Sequence, residues 1–310
     1  MTRVAEIVSV GGIATDIILR TSALPAAGRC TIARELHQGL GGKGANQAVA
    51  AARLGGRVAL VGAVGTDPAG DVALATLTAE GVDTECVVRA PGATGTVVIQ
   101  KDDRGEKQTV VYPGANACVT RDTIAAAAPL LAAARVVLVQ FEIAVETVLC
   151  VVEAIHDRDV LLIVDPSPVR TLPRELLAAA AVVKPNASEA TALTGINVRD
   201  LPSARGAAAR LLEMGSAMVA IEAGPDGNLF ASRTEEVFLP LHDVAAIDPT
   251  GAGDALVGAL AVALVEGMQL REAALFASAA AALATRGLGA QSALPARAEL
   301  DGWIAARRDH

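Results

Sequence analysis

Val136-Val137-Leu138-Val139 is four apolar residues in a row, and runs of the same kind recur at Ile7–Val10, Val58–Val64, Val160–Val164, Ala181–Val183 and Met218–Ile221. A strand with one wet face alternates apolar and polar residues, whereas a strand covered on both faces reads as a continuous apolar run. Between the runs lie Ala-rich segments with helical spacing at 45–54, 68–79, 120–133, 145–157 and 203–214. Three more helical segments, 253–266, 270–285 and 297–308, end the chain. This alternation predicts a doubly wound α/β fold with a mostly parallel sheet, whose ligands bind beyond the carboxyl ends of the strands.

Residues 15–40 and 84–113 break the rhythm and carry few helix signals. Within them, Thr94 to Gln100 and Gln108 to Tyr112 flank Asp102-Asp103-Arg104-Gly105, a hairpin-like turn. We read these stretches as a small β-sheet beside the main one. The 310 residues contain no internal repeat and no low-complexity linker, so one domain over 1–310 is expected.

Composition excludes several classes. With 52% hydrophobic and 19% charged residues, the chain has ample core material and is not disordered. Aromatic residues are only 2%, so the core must be built from Ala, Val, Leu and Ile. A net charge of −8 without any Lys/Arg run argues against nucleic-acid binding. Cysteines at 30, 86, 118 and 150 form no C-x-x-C pair and read as small buried thiols of a reducing compartment. The strand-like run Val4 to Val10 lacks a signal-peptide layout, and the most apolar stretch, Ala255 to Val265, is too short to cross a bilayer. A cytoplasmic protein without membrane or nucleic-acid partners is expected.

Four motifs bear chemistry. Asp248-Pro249-Thr250-Gly251-Ala252-Gly253-Asp254 runs straight into an apolar helix. Glycines before a helix start let backbone N–H groups converge, and with the helix dipole they form an anion site suited to a phosphoryl group in transfer. Asp254 is placed to accept a hydroxyl proton there; the plainer alternative is an ordinary N-cap. Gly39-Leu40-Gly41-Gly42-Lys43-Gly44-Ala45-Asn46-Gln47 allows close backbone approach and offers Lys43 and Asn46 as donors to hydroxyl groups. It also fits the dinucleotide fingerprint formally, but no buried strand precedes it. Lys184-Pro185-Asn186-Ala187-Ser188-Glu189 follows an apolar strand and sets Asn186 and Glu189 three apart, either for a Mg–phosphate group or as a helix start with Glu189 on the surface. Asp16 follows Gly11-Gly12-Ile13 at a strand end, as a ligand or a turn residue.

Together and in this order, these motifs resemble those of the ribokinase-like (PfkB) sugar kinases, nearest to the ribokinase branch. Gly11 to Asp16, Gly41 to Ala48, Val61 to Gly70, Pro113-Gly114-Ala115-Asn116, Asn186 to Glu189 and Asp248 to Asp254 carry the likeness, which runs from about residue 4 to 300. The resemblance implies ATP- and Mg²⁺-dependent phosphorylation of a primary hydroxyl on a sugar, a pentose such as ribose. It implies Asp254 as base, with Gly251, Ala252 and Gly253 as the anion hole. Asp16, Gly42, Lys43 and Asn46 would hold sugar hydroxyls, with Glu142 in the same pocket. Asn186 and Glu189 would position Mg²⁺ through water and phosphate, Gly224 and Gly227 would line the nucleotide phosphates, and adenine would lie near 276–282. K⁺ would sit on Asp248 and Thr250 with backbone carbonyls. The small sheet, from segments 14–42 and 90–115, would be a lid through which two copies form a homodimer.

The chain departs from the family pattern at several points. Ala14 stands where an Asn holds a sugar hydroxyl, a loss on the order of 1 kcal/mol. Glu222 replaces a Thr before Gly224, and Gln291-Ser292-Ala293 alters the cation loop. Lys184 before Pro185 is a feature of the family's sugar-phosphate kinases. Rival readings are a nucleoside kinase, opposed by the scarcity of aromatic residues, and an NAD-dependent oxidoreductase, opposed by the missing strand before Gly39. A third is a non-catalytic sugar-binding protein, which Glu222 favours and Asp254 opposes.

Overall fold

The computed structural model describes residues 5–308, so Val4 and both chain ends lie outside the described residues. The chain runs β1 (Ile7–Val10), β2 (Ala14–Arg20), β3 (Glu35–Gly41), α1 (Lys43–Arg53), β4 (Val58–Gly65), α2 (Pro68–Ala79), β5 (Val87–Ala90), β6 (Gly95–Lys101) and β7 (Lys107–Tyr112). It continues through α3 (Arg121–Ala133), β8 (Val136–Val139), α4 (Val145–Ile155), β9 (Leu161–Val164), α5 (Arg174–Ala179), β10 (Ala180–Val183), α6 (Ala187–Thr194), α7 (Leu201–Glu213) and β11 (Met218–Glu222). β12 (Gly227–Ser232), β13 (Glu236–Pro240), α8 (Ala252–Val265), α9 (Leu270–Ala284) and α10 (Arg297–Arg308) complete it.

Nine strands form the large sheet in the order β13-β12-β11-β10-β9-β8-β1-β4-β5. Its strands pair in parallel from β5 to β11; β12 runs opposite to its neighbours β11 and β13, so both of its pairings are antiparallel. Both faces are covered. In β8, Val136 and Leu138 enter one apolar cluster with α1, α8 and α9, while Val137 and Val139 enter a second with α3, α4 and α7. This two-sided burial is why the strands read as unbroken apolar runs.

A second sheet of four strands, in the order β3-β2-β6-β7, stands beside the first. Its two roots are tied where β1 becomes β2. Asn116 accepts the Ile13 N–H and donates to the Ile13 carbonyl, both at 2.9 Å, while itself 3% exposed. The strand over Val87–Ala90, which the sequence placed with the small sheet, instead edges the large one beside β4. Cys30 and Cys118 are exposed, against the expectation of four buried thiols; all four are free. Among the described residues no helix is long and apolar enough to cross a membrane.

Helix α8 sets the position of everything that follows. It is buried from Asp254 through Ala263, as an all-round apolar helix must be. It lies so close to α1 that a Cβ on Gly258 would come within 2.7 Å of the Ala50 Cβ and 2.9 Å of the Gln47 carbonyl oxygen. A side chain there pushes the two helices apart. Gly258→Ala is expected to cost about 1–3 kcal/mol in urea unfolding through overpacking, with Gly258→Val costing more.

Candidate active site

The carboxyl ends of β1, β8, β9 and β10, the start of α8 and the underside of the small sheet enclose one cavity of about 1110 Å³. Asp16, Gly42, Lys43, Asn46, Glu142, Asn186, Glu189, Gly224, Gly251, Ala252, Gly253 and Asp254 all line it, so positions up to 238 residues apart in sequence meet at one site. Gly227 does not line it: a Cβ there would overlap the Leu239 carbonyl of β13, so this glycine serves strand packing.

Gly251 is the N-cap of α8 in a left-handed conformation (φ 86°), where a Cβ would meet Ala290 at 2.8 Å from its Cα. Both constraints demand glycine. Asp254 is therefore not the N-cap but the third residue of the helix, inside the turn whose N–H groups have no partner within the helix. Its carboxylate is held from three sides by one segment. Asn46 donates to Oδ2 at 3.0 Å, Gln47 to Oδ1 at 3.1 Å, and the Lys43 ammonium lies 3.5 Å from Oδ1. Those donors come from α1, whose N-cap Gly42 has φ 86° and packs 2.6 Å from the Gly12 carbonyl oxygen when given a Cβ. The glycine-rich block thus opens a helix against β1, and the preceding β3 belongs to the small antiparallel pair with β2. A dinucleotide-binding βαβ unit is absent at this point.

Asp165 lies at the same centre although sequence reading passed over it. It follows β9, is 1% exposed, and takes the Lys43 ammonium at 3.2 Å and the Gln47 amide at 2.9 Å, while its Oδ1 has no protein partner. The rule that singled out Asp16, a carboxylate at a strand's carboxyl end, would have found it. Lys184 was also undervalued. Its Nζ lies 2.6 Å from the place a Cβ on Gly253 would take, directly against the helix start. Asn186 and Glu189 form a reciprocal capping box on α6, with the Glu189 N–H donating to Asn186 at 2.9 Å and the Asn186 N–H to Glu189 at 2.9 Å. The helix-start reading is correct, yet Glu189 is buried and faces the cavity rather than the surface. Glu222 lines the cavity too and is exposed.

The electrostatics are those of crowded carboxylates around the Lys43 and Lys184 ammoniums. Burial opposes charge on Lys43, but Asp165, Asp254, Glu142 and Glu189 more than compensate and keep it firmly protonated. Glu142 accepts the Lys43 backbone N–H at 2.7 Å; burial nevertheless pushes its carboxyl up to about 7 against the pull of Lys43, helped by Asp254 and Asp165. Burial, then Glu142 and Asp254, push Asp16 from 3.8 to about 7. Asp248, expected with Thr250 to bind K⁺, has a different partner. The Lys101 ammonium from β6 pairs with it and lies 3.0 Å from the Thr250 hydroxyl. Burial works against the Asp248 charge, but Lys101, the Gly289 N–H and Thr250 hold its carboxyl at about 2.

A carboxyl with a raised value in the fold binds its proton more tightly than in the unfolded chain. Asp16 therefore contributes stability below its unfolded value, and that stability is lost as pH rises toward 7. The melting temperature of the ligand-free protein is expected to fall between about pH 5 and about pH 7.5. Asp16→Asn should flatten that fall and stabilise the protein at the upper end by on the order of 1 kcal/mol, read by calorimetry across pH. An equal slope in the variant would show that Asp16 ionises normally.

Comparison with known proteins agrees with this geometry. The pfkB family carbohydrate kinase profile matches residues 4–297. The chain is 35% identical over 295 residues to the ribokinase of Bacillus subtilis, covering 94% of this chain and 97% of that one. It is 34% identical over 302 residues to the ribokinase of Mus musculus, covering 96% and 94%. The structure of Arabidopsis thaliana ribokinase complexed with ribose and ATP superposes with a TM-score of 0.87 at 29% identity, covering 97% of this chain and 99% of that one. The chain, with its carboxylate at the start of a buried helix and its substrate cavity under a small sheet, belongs to the pfkB family of carbohydrate kinases.

Proposed function

We propose that the protein transfers the γ-phosphoryl group of ATP to a primary hydroxyl of a pentose such as ribose, with Asp254 as general base. The observation that carries this is Asp254 at the third position of α8, hydrogen-bonded to Asn46 and lining one cavity with Asp16 and the helix start. Identity to ribokinases over nearly the whole chain supports the sugar class.

Asp16, Asn46, Lys43 and Glu142 offer acceptors and donors in alternation, as a polyhydroxylated ring requires. Val97, Ile99 and Phe141 give the ring apolar walls. The acceptor hydroxyl gives its proton to Asp254 as its oxygen bonds to phosphorus. Charge on the departing group is met by the helix start and by Lys184. In this reading Lys184 serves ATP rather than a phosphate on the sugar.

The nucleotide side fits ATP. Ser278 Oγ and His242 Nε2 are buried without protein partners, and both residues line the cavity beside Ala281 and Ala282. Unsatisfied buried polar atoms mark where a ligand's own polar atoms belong. Adenine would lie there, with Gly224 near the phosphates. Mg²⁺ entering with ATP supplies positive charge to the phosphates, and Asn186 and Glu189 would hold it through water. Glu222, exposed at the cavity rim, has room to turn away from the nucleotide.

The small sheet covers the sugar end of the cavity and serves as a lid that excludes water from the phosphoryl group. Its outer strand β7 exposes Val110 at 66% and Tyr112 at 56% on an unpaired edge. Such an edge calls for a cover, and we assign it to the lid of a second copy, giving a homodimer. Sedimentation should report a dimer that Val110→Glu converts to monomer.

The chemistry is tested by coupled ADP release on a panel of pentoses, hexoses and nucleosides. Ribose or a related pentose should be turned over, and Asp254→Asn should lower kcat by about 10²–10⁴ with little change in sugar affinity. Turnover of nucleosides alone moves the substrate class. Sugar binding without any turnover means a binding protein.

A further inference from the structure

One ammonium bridges the small sheet and the loop that leads into α8. Lys101 is the last residue of β6; its Nζ pairs with Asp248 Oδ1 and lies 3.0 Å from Thr250 Oγ1. The Asp248 side chain is 1% exposed and that of Lys101 17%. Asp248 Oδ1 also accepts the Thr250 N–H at 3.0 Å and the Thr250 hydroxyl at 2.7 Å, and Oδ2 accepts the Gly289 N–H at 3.0 Å. The Thr250 hydroxyl, having given its proton to Asp248, has its lone pairs turned to Lys101. Nearby, the Gln291 and Leu294 carbonyls are taken by the Arg53 guanidinium at 2.8 and 3.0 Å.

These residues do not fit a free monovalent cation. Asp248 and Thr250 already surround a positive charge of similar size, and a second cation on the same oxygens would be repelled by it. The geometry points to Lys101 as a tethered cation, which neutralises Asp248, holds the loop before the anion hole, and makes that loop complete only when the small sheet is seated. Other strands of the small sheet touch the loop after α9, whose Gly289 N–H donates to Asp248. A Cβ on Gly289 would lie 3.0 Å from His37 Nε2 of β3 and 3.6 Å from Ile18 Cδ1 of β2. The lysine backbone is anchored as well, since its carbonyl accepts the Thr21 N–H at 2.9 Å. Closure of the sheet and organisation of the helix start are thereby one event, without an ion from solution.

The test compares wild type and Lys101→Met in potassium chloride and choline chloride at equal ionic strength, reading melting temperature and sugar-dependent ADP release. Wild type should show the same melting temperature and turnover in both salts. Lys101→Met leaves a buried carboxylate unpaired. It should lose turnover about tenfold or more in choline, and about 100 mM K⁺ should restore most of it and raise the melting temperature. Specific stimulation or stabilisation of wild type by K⁺ overturns the inference. So does a Lys101→Met variant that matches wild type in choline, or one that loses turnover and responds to K⁺ in neither readout. The activity arm rests on the kinase reading. If wild type phosphorylates no sugar, that reading fails, while the melting temperatures still decide the role of Lys101.

Discussion

The Lys43 ammonium, set 3.2 Å from Asp165 and 3.5 Å from Asp254, is the interaction on which the site depends. Asp16, Glu142, Asp165, Glu189 and Asp254 all reach the same cavity end of the large sheet, and carboxylates confined at low dielectric repel one another strongly. Lys43 and Lys184 offset part of that repulsion at Asp165, whose carboxyl is nevertheless pushed up by burial. The cost appears at Asp16 and Glu142 as well, both pushed toward 7 chiefly by burial. The acids cannot be moved outward, because the ends of parallel strands are the one place where a doubly wound fold opens to a ligand.

The rest of the architecture keeps that cation in place. Lys43 is the first residue of α1, so its position follows from Gly42, whose left-handed backbone lets the helix begin against Gly12. Ser9 adds a hydrogen bond of 2.9 Å from β1 to the Gly44 carbonyl. From the other side α8 is brought against α1 by Gly258. Lysine and aspartate thus meet because two helix starts, each capped by a glycine, are packed on the same sheet face. Small side chains make this possible: the alanine-rich interfaces let α1, α8 and α9 approach closely, at the expense of the large buried surfaces that aromatic residues would supply.

How much was legible in the sequence follows from which forces act locally. The runs Ile7–Val10 and Val136–Val139 announce themselves because burial on both faces removes every polar residue from them. β12 is covered on both faces through Leu229, Phe230 and Ala231, but Gly227, Asn228 and Ser232 interrupt its apolar run, and β13 is the edge strand, so neither reads as a continuous apolar strand. Val87–Ala90 was assigned to the wrong sheet because a four-residue run does not say which neighbour it pairs with. The glycine-rich blocks were readable since positive φ and close approach leave a mark in residue type. Asp165 was readable by its place after a strand. Lys101 was not, because nothing in a β-strand's last residue tells that the lid's register carries it to a carboxylate 147 positions away.

The donors around Asp254 bear on how it would work as the proposed base. Asn46, Gln47 and Lys43 fix the direction in which its carboxylate oxygens point. A strong base is not what this chemistry needs. In a loose phosphoryl transfer, bond making to the incoming oxygen lags behind departure of the leaving group, so the hydroxyl becomes acidic only late. A carboxylate held correctly turned is then better suited than a mobile one, because position decides how often the proton is accepted when it is released. Two of the three donors that fix its orientation, Lys43 and Asn46, also face the cavity, where sugar hydroxyls would share their hydrogen bonds.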